Sequence, residues 1–210
     1  MKKIARDYHH GNLRQALLDE AIARIEATGG LDFTMRDLAK TLGVSSAAPF
    51  RHFANKRALL ASIAELGYKR LGALYDELDV RYADDPGECF RQKGIAYVTF
   101  AVSNKACYLA MFSPELNDKS EFQELKVAGA RVFASILATV EACQKQDLLS
   151  DFCVEQITLT IWSIGHGLAE LLIKGQLADL GIAASEKAAE QVAEAVTAVI
   201  RAGLWRPRDA

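Results

Sequence analysis

Apolar residues recur at i, i+3, i+4 spacing along almost the whole of the 210-residue chain, and no stretch of useful length alternates apolar with polar. That period marks one buried face of an α-helix, so the pattern predicts an all-α protein, and the presence of only four prolines agrees with it. The breaks between periodic segments carry helix-start and helix-stop chemistry. Asn12 to Gln15 has the form of a capping box and opens a helix with Leu13, Leu17, Ala21 and Ile25 on its inner face, ending at Gly29 and Gly30. Thr34 to Asp37 forms a second box, opening a short helix that stops at Gly43. Ser45 or Ser46 caps a third helix and Asn55 a fourth.

Further along, the predicted helices lengthen. They cover about 56–78; 86–103, with Asp85 as N-cap and Pro86 at the first helical position; a short piece near 105–112; then 119–145, 151–174 and 185–203, the last running from Ser185 to Gly203. Pro49 falls inside the third helix. With Ser46 as N-cap it occupies the third helical position, where a missing N–H has no intrahelical partner to lose.

Between Thr34 and Phe53 the apolar positions are Leu38, Ala39, Leu42, Val44 and Phe53, with Gly43 at the point where a left-handed residue lets the chain turn. This is helix-turn-helix spacing, and a plain αα-hairpin inside a bundle would share it. The polar residues separate the two readings. Arg36, Ser45, Ser46, Arg51, His52 and Lys56 gather around one short helix, as a DNA reader requires and a bundle hairpin does not.

Net charge is −2 overall, which by itself argues against a nucleic-acid partner, but its distribution reverses that conclusion. Residues 1–60 carry ten Lys/Arg against six Asp/Glu, while 61–210 carry fifteen against twenty-one: a basic head on an acidic body. Cys89, Cys107, Cys143 and Cys153 lie far apart, with no Cys-x-x-Cys pair and no His at ligand spacing, so reduced core cysteines are expected rather than a metal site or a disulfide framework. The N-terminus is charged, and the longest apolar stretch, Ile157 to Ile173, is interrupted by His166 and Glu170. A cytoplasmic protein without membrane attachment is expected. No nucleophile motif, metal set or glycine-rich phosphate loop is present, so neither a cofactor nor an enzymatic activity is expected. The competing enzyme reading would use His166 and Glu170, which share a helix face at i and i+4, as an acid/base pair.

Residues 8–60 resemble the DNA-binding head of the tetracycline-repressor (TetR) family of transcriptional regulators, on the runs FTMRDLAKTLGVS and FRHFANKRALL and the preceding YHHGNLRQALLDEA. In the body, NKACYLAMFSPEL and WSIGHGLAELL resemble the subgroup whose ligand domain is named for a Trp, a His and a Gly, here Trp162, His166 and Gly167. The resemblance implies a helix-turn-helix DNA-binding domain over 1–56 and a helical ligand-binding and dimerisation domain over 57–210, joined by the helix of 56–78. It further implies a homodimeric repressor that binds a palindromic operator on double-stranded DNA and is released by a small-molecule effector. Thr34, Arg36 and Lys56 match the family's phosphate-contacting positions, and Ser45, Ser46, Ala47, Ala48 and Arg51 match the base-facing and groove-lining ones. Phe50 stands where the family usually has a Tyr whose hydroxyl holds a phosphate; without the hydroxyl it offers apolar surface to a thymine methyl or packs. His52 can bond a phosphate or the backbone. Lys2, Lys3 and Arg6 could reach a minor groove.

Two apolar stripes in the last helices, Ile157, Ile161, Ile164, Leu168 and Leu171 on one and Ala188, Val192, Ala195 and Val199 on the other, suit a symmetric four-helix interface that sets two heads side by side. The ligand-pocket candidates are Tyr97, Phe100, Tyr108, Met111, Phe112, Cys143, Trp162 and His166. Few charges interrupt these stretches, which favours a mostly apolar or aromatic effector over a phosphorylated one.

Overall fold

The Thr34 capping box forms as its spacing requires. The Asp37 N–H donates to Thr34 Oγ1 (3.2 Å), and the Thr34 N–H donates back to the Asp37 carboxylate (2.9 Å), fixing the start of a seven-residue helix. A computed structural model of the chain describes residues 13–149 and 152–204. It is all-helical, with α1 (Leu13–Thr28), α2 (Met35–Thr41), α3 (Lys56–Arg81), α4 (Pro86–Ser103), α5 (Lys105–Met111), α6 (Gln123–Lys145), α7 (Val154–Ile173) and α8 (Glu186–Leu204). The Asn12 capping expectation lies outside the described residues, as do Lys2, Lys3 and Arg6. Asn55 caps α3 through a bond from the Ala58 N–H (2.9 Å), Asp85 caps α4 through Glu88 N–H (2.9 Å), and Ser185 caps α8 through Ala188 N–H (3.3 Å). No helix among the described residues is long and apolar enough to cross a membrane.

α2 ends in a Schellman turn. Val44 N–H reaches back to Ala39 O (3.0 Å) and Gly43 N–H to Lys40 O (3.3 Å), which requires Gly43 at φ +68°. The third helix predicted from Ser45 or Ser46 is not an α-helix. Ala48 N–H bonds Ser45 O and Arg51 N–H bonds Ala48 O, both three-residue steps, and the ordered piece is a 3₁₀ turn over Pro49–Arg51 with no side-chain cap. The cause is Pro49 itself: lacking an N–H, it cannot close the four-residue bond to Ser45 O that would propagate an α-helix, so it opens the turn at the first position.

α3 is the spine. Leu59, Leu60 and Ile63 in its first two turns pack with Leu17, Ala21, Leu38 and Phe53 of the head, and Tyr68, Leu71 and Tyr75 continue the same cluster into the body. The hydrophobic core is therefore contiguous from the head to α7 and α8. α5 crosses α3 at Gly67, where a Cβ would stand 2.9 Å from the Cys107 Cβ and 2.6 Å from the Met111 sulfur, so only glycine fits. α3 runs three residues beyond the expected 78, and α6 starts at Gln123 rather than near 119. The chain after α5 is first occupied by a 3₁₀ turn, Pro114–Leu116, and by a turn in which Ser120 N–H bonds the Asp118 carboxylate.

α4 is the centre of the body, contacting α3, α6, α7 and α8. It carries a buried cation. Lys93 is 4 % exposed, and its ammonium donates to Asp79 of α3 (2.7 Å) and to the hydroxyls of Ser135 (2.7 Å) and Thr139 (2.8 Å) of α6. All three N–H bonds are thus satisfied, and three helices are tied at one point. Because an unpaired charge costs more than an absent one, Asp79→Ala should destabilise the fold by about 2 kcal/mol, a value reduced for the partial exposure of Asp79, whereas Lys93→Met should cost clearly less. Denaturant titrations of the two variants measure this; equal losses would assign the position to packing of the lysine stem.

Candidate functional site

On the head, a shallow groove is bounded by Phe33, Thr34, Arg36, Phe50 and Lys56. Four residues separated by up to 22 positions in sequence, Thr34, Arg36, Phe50 and Lys56, are brought together there by the turn at Gly43 and the 3₁₀ turn after it. Ser45, Ser46, Ala47, Phe50, Arg51 and His52 are exposed on the outer side of that turn, Ala48 is half-buried, and Pro49 is buried against the core. The side chains of Arg36, Ser45, Ser46, Arg51 and His52 hold no hydrogen-bond or ionic partner among the described residues, so their donors face solvent. Phe50 is 48 % exposed and contributes ring surface at the groove.

Two members of this group are engaged within the chain. The Thr34 hydroxyl donates to Asp37 (2.7 Å), and this bond together with the Thr34 N–H holds the Asp37 carboxyl below its usual range. Lys56 forms a salt bridge to Glu115 (3.0 Å), in the 3₁₀ turn of the body, and lies over the Phe33 ring. Its neighbour Arg57 pairs with Glu121, donates to the backbone carbonyls of Glu115 and Asp118, and stacks over Phe122 at 4.9 Å. The first turn of α3 is therefore held by the segment 113–122 of the body. The separation of 59 positions between Lys56 and Glu115 leaves no local signal of that pairing in the sequence.

The body contains a cavity of about 310 Å³ walled by Tyr68, Tyr97, Met111, Phe112, Phe133 and Trp162, with Lys119 and Lys126 also on its lining. A smaller space of about 60 Å³ adjoins it through Tyr97, Ile136 and Trp162. Of the expected pocket residues, Tyr97, Met111, Phe112 and Trp162 line the larger cavity; Phe100, Tyr108, Cys143 and His166 do not. Phe100 is core. Cys143 belongs to a separate cluster with Phe90, Val140, Leu149 and Ile157, its thiol directed at Pro86 O (3.2 Å). Burial pushes that thiol up to about 12, so it stays protonated. Tyr108 and His166 form the layer behind the aromatic wall. His166 Nδ1 lies 2.8 Å from the Tyr108 hydroxyl and 3.1 Å from that of Tyr97. Burial raises both phenols well above their ordinary value and lowers the imidazole below its own, so both hydroxyls stay protonated and share hydrogen bonding with one ring nitrogen of a neutral His166.

Glu170 pairs with Lys174 (2.6 Å), which leaves His166 and Glu170 without the direct bond an acid/base pair needs. No group of His, Cys, Asp or Glu among the described residues is placed to hold a metal ion. The apolar stripes of the last two helices divide. Ile157, packed with Phe90 of α4 and Val140 and Cys143 of α6, and Leu168, in the main core, are buried within the protomer, while Ile164, Leu171 and Val199 are exposed.

Comparison with known proteins places both halves. Residues 17–63 match the family described as bacterial regulatory proteins, tetR family, and residues 90–198 match the tetracyclin repressor-like C-terminal domain. No curated protein matches the chain significantly. Among solved structures, a protein of unknown function from Rhodococcus sp. RHA1 is 27% identical, covering 96% of this chain and 100% of its own, with a TM-score of 0.76. The TetR family regulator PfmR of Thermus thermophilus (23% identity, 92% and 98% coverage, TM-score 0.71) and the ketosteroid regulator KstR2 of Mycobacterium tuberculosis (17%, 92% and 95%, 0.68) share the fold. With a TetR head followed by a body domain whose match alone spans more than half of the chain, the protein belongs to the TetR family of DNA-binding transcriptional regulators, which are not enzymes.

Proposed function

We propose that this protein is a homodimeric repressor that reads a palindromic operator through Thr34 to Lys56 and is released by a small, mostly apolar effector held in the cavity of about 310 Å³. The observation that carries the reading is the convergence of Arg36, Phe50 and Lys56 on one groove beside the unpartnered side chains of Ser45, Ser46 and Arg51. Arg36 and Lys56 serve phosphates, which give affinity without sequence information. Thr34 contributes mainly by fixing the start of α2, since its hydroxyl proton is directed at Asp37. Ser45, Ser46, Ala47, Ala48, Phe50 and Arg51 present the surface that enters the major groove, and His52 flanks it. The division at residues 56 and 57 is functional rather than a gap in packing. The body belongs to the Trp-His-Gly subgroup on Trp162, His166 and Gly167, and the protein works in the cytoplasm, where its DNA is.

Release follows from the hold on α3. Glu115 and a DNA phosphate compete for the same ammonium of Lys56, and the segment that carries Glu115 continues directly from α5, whose Met111 lines the cavity with Phe112 at its C-cap. An effector that moves α5 changes how firmly the body holds the first turn of α3, and so biases the position of the head. A dimer through α7 and α8 provides the second head. The exposed Ile164, Leu171 and Val199 supply its apolar contacts, with Ile157 and Leu168 assigned to the protomer core.

Lys56→Ala should weaken binding to specific and random DNA alike and lower the salt slope by about one unit, whereas Arg51→Ala should erode preference among sequences. DNA titrations at several salt concentrations decide this; an unchanged slope for Lys56→Ala would remove that residue from phosphate contact. Ile164→Glu and Val199→Glu should each give folded monomers, because an unpaired carboxylate is costly to bury in an apolar interface. Sedimentation of both variants is the test, and a dimer in both would reject α7 and α8 as the interface.

A further inference from the structure

The cavity is apolar on nearly every wall, but two of its lining residues are lysines. Lys119 belongs to the segment between α5 and α6 and is half-buried, its ammonium 5.2 Å above the Tyr68 ring; Lys126 is on the first turn of α6 and exposed. Neither forms an ion pair among the described residues. The carboxylates of the same segment are engaged elsewhere: Glu115 with Lys56, Glu121 with Arg57, and Asp118 with the Ser120 N–H. Two ammonium groups therefore border an aromatic cavity without an ion-pair partner among the described residues, and burial pushes the Lys119 ammonium below its ordinary value.

We infer that the effector is an amphipathic anion, an apolar or aromatic body that fills the space between Tyr97, Phe112, Phe133 and Trp162 and ends in an anionic head held by Lys119 and Lys126. The inference rests on the effector-cavity reading and narrows it from a mostly apolar molecule to one with a single charged end. Charge complementarity selects the head: a neutral body gains only the apolar walls, while an anion also restores a counter-charge to the desolvated Lys119. The two ends then have separate tasks, the walls giving affinity for size and shape and the lysines giving orientation. Lys119 directly follows Asp118, whose carbonyl accepts from Arg57, so the head group would bind within one residue of the body's hold on α3.

A matched pair of probes tests this: 8-anilinonaphthalene-1-sulfonate and N-phenyl-1-naphthylamine, which share one aromatic skeleton with and without a sulfonate. The full chain should bind the sulfonate about tenfold more tightly than the neutral dye. Lys119→Met/Lys126→Met should lose that advantage while binding the neutral dye as before, and Lys119→Arg/Lys126→Arg should keep it. Gly129→Phe is the control for the cavity itself, because a Cβ there would meet the Tyr68 ring at 3.5 Å and the added ring would occupy the space; it should block both dyes. Equal affinities for the two dyes, both blocked by Gly129→Phe, would overturn the anionic head and leave the cavity reading standing. Dye binding indifferent to Gly129→Phe, or absent altogether, would overturn both.

Discussion

The packing that joins head to body depends on α3 being one unbroken helix. Its 26 residues span about 39 Å at the α-helical rise, long enough to begin in the head and end beyond the cavity. Its first turns bury Leu59, Leu60 and Ile63 against α1, α2 and Phe53, and its middle places Tyr68 and Leu71 on the cavity wall. A helix this well packed does not bend at low cost, so displacement at one end must appear as rotation or translation at the other. The contiguous core joins head and body by packing rather than by a tether.

Charge is layered onto that rigid element. The body holds α3 by its first two residues, Lys56 and Arg57, through a short segment rich in acids and backbone carbonyls. The salt bridge between Lys56 and Glu115 is partly exposed, so its contribution to stability is small. Its effect is on availability: a lysine engaged by a carboxylate is not free for a phosphate. The buried Lys93 differs. Enclosed by Asp79, Ser135 and Thr139, it ties the C-terminal part of α3 to α4 and α6.

Local chemistry was legible in the sequence because it acts over three or four residues. The caps at Thr34, Asn55, Asp85 and Ser185 and the left-handed turn at Gly43 form where their residue types and spacings require. Pro49 was harder to read. It is tolerated early in an α-helix, but here the helix is only a 3₁₀ turn, because no neighbouring residue restores the bond that proline removes. Periodicity gave the apolar faces of the last two helices but not what each face meets, so Ile157 and Leu168 could not be separated from Ile164 and Leu171 before α4 was placed. The cavity was half-legible: Tyr97, Met111, Phe112 and Trp162 could be found as aromatic and Met positions, whereas Tyr68 lies on the helix read as the joint between head and body, and no local pattern marks Lys119 or Lys126. The Lys56–Glu115 contact could not be read at all, since only the fold brings the two residues together.

The hold of the body on the first turn of α3 is tested most directly by the DNA affinity of Glu115→Gln, measured beside the parent protein over a range of salt. Freeing Lys56 should tighten DNA binding by about three- to tenfold at low salt, with the gain shrinking as salt rises and vanishing when Lys56→Ala is added. Affinity that is unchanged or weaker in Glu115→Gln, or a gain that persists without Lys56, would contradict competition between Glu115 and the phosphate backbone.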